Sequence, residues 1–180
     1  KSFTWDELDT ITAKVKGKAT WEYAGLIWFV KNGIDVRAIR MFDDARFIRD
    51  GVEYIREFAG DEVAAWQGSH SDIPQEQRLA GEFAALVKAE IRVPTREDII
   101  EALHAGHVPT CDINSYVLSG RGGYDGHTVV VIGYDESGFL LNDPGLPPRE
   151  ARHVAYDLFE KAWGYPDEKS KFLAIFSQKV

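Results

Sequence analysis

The chain has 180 residues, 44% hydrophobic and 12% aromatic, which suits one domain with a substantial core and excludes a disordered chain. With 21 basic against 29 acidic residues the net charge is −8, which repels polyanions and leaves no basic stripe, so nucleic acid is not an expected partner. No stretch approaches the roughly 20 consecutive apolar residues of a membrane span, and the single cysteine, Cys111, rules out an intrachain disulfide and favours a reducing compartment such as the cytoplasm.

Numbering opens on Lys1 and the only methionine is Met41, so residues are expected before Lys1, and any targeting segment would lie among them. Thr4-Trp5-Asp6-Glu7 fits a capping box, after which Trp5, Leu8, Ile11 and Val15 form one apolar helix face. A second helix is predicted over 20–32, ending at Gly33, where a left-handed cap has no steric cost. Its run from Ala24 to Val30 is apolar almost all round, as in a buried helix. Ile34 to Met41 alternates like a short strand.

From Asp43 to about Arg92 the pattern is charged and helical. Val52, Ile55, Phe58, Val63 and Trp66 share a helical spacing that breaks near Gly60. Ser71-Asp72-Ile73-Pro74 marks a turn or helix start, and Leu79, Phe83, Leu86 and Val87 continue the period. Thr95 caps a further helix through Leu103. After Gly106 the texture changes to strands at Val108 to Leu118, Thr128 to Tyr134 and Phe139 to Asn142. They are separated by the Gly-rich run from Ser119 to Gly123 and by Asp135-Glu136-Ser137-Gly138. A loop from Pro144 to Pro148, a short helix from Asp157 to Trp163 and a last strand from Phe172 to Phe176 complete the chain. Helices first and an antiparallel sheet afterwards make an α+β arrangement.

The segment that carries chemistry runs from Gly126-His127-Thr128 to Asn142-Asp143-Pro144-Gly145. A histidine opens one strand and an aspartate closes the next, so in a hairpin both lie on one rim of the sheet. The carboxylate would hold one imidazole nitrogen and leave the other as a base for a thiol or hydroxyl nucleophile. Register decides whether they meet. A four-residue loop pairing Tyr134 with Phe139 puts Asp143 opposite Val130, on the wrong face. A three-residue loop with Gly138 left-handed, or an equivalent bulge, puts it opposite Val129 and diagonal to His127. The second arrangement is the one expected. Read alone, His127 is more simply a strand-end histidine satisfied by a carboxylate, and Asp143, still more simply, a turn former before proline.

The Gly-His-hydrophobic strand, the Gly-Tyr-Asp and the Asn-Asp-Pro-Gly sequence resemble the bacteriocin-processing family of papain-like cysteine peptidases. The front of the chain, Ser2-Phe3-Thr4-Trp5-Asp6-Glu7-Leu8, then Thr20-Trp21 and a helix ending in Lys31-Asn32-Gly33, resembles what those relatives carry just after their nucleophile helix. The resemblance implies a papain-like fold over 1–180, a peptide or protein substrate, no metal or organic cofactor, His127 as catalytic base and Asp143 as its partner. It also implies a nucleophilic cysteine at a helix start, with an oxyanion-hole glutamine before it, and neither stands in this sequence. Both are expected before Lys1, so the chain by itself should be inactive. The alternatives are a non-catalytic peptide- or protein-binding domain of the same fold, and acyl transfer by the same pair.

Other chemistry-bearing residues have plainer readings. Cys111 lies in the apolar strand pattern of Val108 to Ile113, where cysteine behaves as a small buried hydrophobe rather than a thiolate. Asn114 and Ser115 could line a cleft or serve the backbone. His104 and His107 flank a helix end at Gly106, with a spacing too weak to indicate zinc. The run around Gly120-Arg121-Gly122-Gly123 lacks the strand-to-helix context of a phosphate loop and reads as a loop beside the cleft.

Overall fold

Helix starts in this chain are set locally by side chains that take up orphaned backbone N–H groups. The computed structural model describes residues 2–145 and 147–179. Thr4 and Glu7 form the expected capping box on α1 (Trp5–Ile11), and Thr95 and Asp98 form a second on α7 (Arg96–His104). α2 (Tyr23–Lys31) closes at Asn32, followed by Gly33 at φ 84°, the left-handed conformation that glycine adopts freely.

The chain forms two compact units, one of Lys1–Asp35 with Asp43–Lys88, the other of Val36–Phe42 with Ala89–Val180. The first is helical, with α1, α2, α3 (Asp44–Asp50), α4 (Val52–Ala59), α5 (Asp61–His70) and α6 (Ile73–Leu86). Asp43 and Asp72 cap α3 and α6, and Gly60, at φ 93°, separates α4 from α5. The buried residues are not all those the spacing selected. Tyr54, Ile55 and Ala64 are buried, while Val63 and Trp66 are exposed and α1 buries nothing, with Trp5 largely in solvent. Tyr23 forms the centre, its ring against Phe47 and Phe83 and its hydroxyl donating to Asp44 at 2.6 Å.

The second unit carries the sheet. Among the described residues seven strands, β1 (Ile34–Arg40), β2 (Lys88–Ile91), β3 (Val108–Asn114), β4 (Gly126–Tyr134), β5 (Gly138–Asp143), β6 (Arg149–Ala155) and β7 (Phe172–Gln178), take the order β2-β1-β7-β3-β4-β5-β6. The pairs β3–β7, β3–β4, β4–β5 and β5–β6 are antiparallel. Helices α8 (Ser115–Leu118) and α9 (Tyr156–Trp163) complete a mixed α+β architecture. The helical stretch predicted to about Arg92 gives way to β2, and the strand predicted through Leu118 stops at Asn114, whose side chain caps α8. The strand β6 was not expected, and the loop expected before it contains Leu146, outside the described residues.

Alternation sends Cys111, Ile113, Val129, Val131, Phe139, Leu141 and Val154 to one face of the sheet. There they pack with Ile99 and Ala102 of α7 and with Phe159, Ala162 and Trp163 of α9. Each fully buried large side chain in this layer stabilises the fold by about 2 kcal/mol relative to its exposure. His127 belongs to the same alternating set, two positions beyond Val129 at the rim where the core ends.

Candidate active site

The hairpin β4–β5 brings the two predicted residues together by a route that combines both registers considered above. Tyr134 pairs with Phe139, which is the four-residue loop, but Gly133 pairs with Leu140 while Val131 pairs with Leu141. One extra residue in β4 is absorbed there as a bulge. Val130 then faces Asn142, so one step further along Asp143 comes level with Val129, on the face of His127. Gly138 is not left-handed, contrary to the loop expected. A Cβ on it would lie 2.2 Å from the Val154 carbonyl oxygen, so the close approach of β6 is what calls for glycine.

The resulting pair is direct. His127 Nε2 lies 2.6 Å from Asp143 Oδ1, with side chains 21% and 11% exposed, so the bond is partly shielded from water while the imidazole retains access. With Asp143 ionised, Nε2–H donates and Nδ1 carries the lone pair. Among the described residues, none hydrogen-bonds to Nδ1.

The carboxylate is held by more than histidine. The Gly145 N–H donates to Oδ1 at 3.0 Å, and Arg152 Nη1 donates to Oδ2 at 2.9 Å. Burial pushes the Asp143 carboxyl upward, but the hydrogen bonds from His127, Gly145 and Arg152 together outweigh it and hold the group below its ordinary value. Gly145 also fits closely, since a Cβ there would stand 3.0 Å from Asp143 Oδ1 and 3.7 Å from His127 Nε2. Arg152 was not singled out in the sequence. It follows Arg149-Glu150-Ala151, where no apolar alternation announces a strand.

The other chemistry-bearing residues are buried or bonded elsewhere. Cys111 is fully buried, and burial, with Asp112 and Glu160 adding to it, pushes its thiol well above the ordinary value. Such a group is a poor nucleophile. Asn114 is buried and serves the backbone. Its Oδ1 accepts from the N–H groups of Tyr116 and Asp125, and its Nδ2 donates to the Gly123 carbonyl, pinning the Gly-rich loop. Ser115 bonds Asp125, and Arg121 lies 4.1 Å over the Tyr116 ring. His104 pairs with the Tyr134 hydroxyl, and no cluster able to hold a metal ion occurs among the described residues. No helix among them is long and apolar enough to cross a membrane.

Comparison with known proteins gives no matching family model and no matching curated protein.

Proposed function

We propose that the chain carries the histidine and aspartate of a papain-like cysteine hydrolase acting on peptide or amide bonds, its thiol supplied by residues preceding Lys1. The observation that carries the reading is an imidazole anchored through Nε2 to a shielded carboxylate, with Nδ1 left without a hydrogen bond among the described residues. The α+β architecture is compatible with a papain-like fold, which belongs to the same proposal.

In this reading His127 Nδ1 takes the thiol proton, the sulfur adds to the substrate carbonyl carbon, and the imidazolium returns the proton to the leaving amine as the C–N bond breaks. Water then attacks the thioester with His127 again as base, releasing the acid and restoring the thiol. Asp143 keeps Nε2 protonated and stabilises the imidazolium. No step calls for a metal or organic cofactor.

The test uses the protein with its upstream sequence intact. A thiol-directed amide probe should label one cysteine upstream of Lys1, and His127→Ala should abolish both labelling and turnover. Undiminished turnover in that variant overturns the reading. A second reading is a peptide- or protein-binding domain of the same fold, which would keep the His127–Asp143 pair without a reactive thiol. Absence of any probe-reactive thiol in the intact protein would select it.

A further inference from the structure

β6 pairs with β5 with Leu141 opposite Arg152 and Asp143 opposite Arg149, so three steps along β6 span two along β5. Running on without a bulge from Arg149 opposite Asp143, the ladder would bring Ala151 opposite Leu141, on the face of His127. Arg152 would then project from the other face. The bulge reverses this. Ala151 takes φ 48°, a conformation that side-chain-bearing residues rarely adopt, and its N–H is held by Asn142 Oδ1 at 3.1 Å. The strained residue thus exchanges an alanine for an arginine at the position beside Asp143.

What the arginine does there is specific to its shape. Nη1 donates to Asp143 Oδ2 at 2.9 Å and Nη2 donates to the Leu118 carbonyl at 2.9 Å, with the side chain only 17% exposed. One planar guanidinium therefore joins the carboxylate to the end of α8, a span that a single ammonium cannot bridge in the same way. With Oδ2 taken by Arg152 and Oδ1 shared by His127 and the Gly145 N–H, the carboxylate has one orientation in which all its partners are met.

We propose that Arg152 is a positioning residue of this site, fixing the Asp143 carboxylate between α8 and His127 so that the imidazole is held with Nε2 protonated and Nδ1 available as a base. The proposal rests on the reading of His127 as a base. Among the described residues Asp143 from β5 bonds the imidazole, and Arg152 from β6 and the Gly145 N–H bond Asp143. The β3 neighbour of His127, Ile113, is neutral, and Arg149, opposite Asp143, is exposed.

The imidazole tautomer tests this without a substrate. Nitrogen NMR of the isotope-labelled chain, with His127→Gln used to assign the resonance, should show neutral His127 chiefly as the Nε2–H form. Arg152→Met should bring the two tautomers to within about threefold of each other, and Arg152→Lys should recover less than half of the original preference. Arg152→Gln, uncharged but with amide donors, provides a second variant if Arg152→Met fails to fold, and it too should lose the preference. Unchanged tautomer ratios in a folded Arg152 variant overturn the proposal. Asp143→Asn separates the two levels: if it alone changes the ratio, the His127–Asp143 pair stands without Arg152, and if it also changes nothing, the base reading falls with the proposal.

Discussion

Asp143 reaches His127 because β4 carries one residue more than β5 between Val131 and Gly133. A strand alternates faces with every residue, so this single insertion moves the carboxylate from the face of Val130 to that of Val129 and His127. A second bulge, on β6 at Ala151, brings Arg152 to the same face. The site is thus assembled by two departures from regular pairing, both within the β4–β5–β6 meander.

On the hydrolase reading, Asp143→Asn in the intact protein should lower kcat by about 10³–10⁴-fold, because the amide no longer selects the correct tautomer. Steady-state rates against an amide substrate, with circular dichroism to confirm folding, measure this. A loss below tenfold would mean that the carboxylate does not orient the base.

Ala151→Gly should stabilise the fold by about 1 kcal/mol, since glycine adopts φ 48° without the steric cost that alanine bears there. The gain should appear as a higher urea midpoint at unchanged slope. The His127 tautomer ratio should not change, because the bulge is retained.

Gly138→Ala should act in the opposite direction. Its Cβ would lie 2.2 Å from the Val154 carbonyl oxygen, and that backbone cannot yield as a flexible side chain can. Separating β5 from β6 should cost about 3 kcal/mol or more, read from the same urea titration.

Glu76 gives the first unit a pH dependence. The residue is buried with Oε2 unpaired, and burial, followed by the charges of Glu22 and Asp72, pushes its carboxyl from 4.5 up to about 7. The unfolded chain releases this proton above its ordinary value while the folded chain retains it, so stability falls as pH rises from about 4.5 to about 7. Glu76→Gln should remove that loss. Its advantage over the original chain should be small at pH 4 and reach at most roughly 3 kcal/mol at pH 8, compared by thermal or urea melts. An advantage independent of pH would mean that Glu76 does not titrate in this way.

Cys111 should not react with a thiol reagent such as a disulfide chromogen while the chain is folded, and should react fully in urea, because its sulfur is buried in the sheet core. Rapid native labelling would show that the strand opens far more readily than its packing implies.

Legibility in the sequence followed the range of the interactions. The Thr4–Glu7 and Thr95 caps and the turn at Gly33 were readable because each is decided within about four residues. The two strands that were missed, β2 and β6, are the two edges of the sheet. Edge strands tolerate, and often require, polar residues such as Lys88, Glu90, Arg149 and Glu150, so the apolar alternation that marks an inner strand is absent from them. In the four-residue helix α8, Tyr116, Val117 and Leu118 continue the apolar run of β3, and the Asn114 side chain, by capping Tyr116 N–H, ends the strand ahead of them.

By itself, the sequence determined that a histidine would open one inner strand and an aspartate close the next, since apolar runs and turn residues define strand ends locally. Which face each side chain takes was decided only in the tertiary structure, as was the arrival of Arg152 beside them. Face depends on pairing register, and register on the bulge between Val131 and Gly133 and on the one at Ala151, neither of which the apolar pattern of a single strand reveals. A repeat of two residues leaves one inserted residue enough to reverse the outcome.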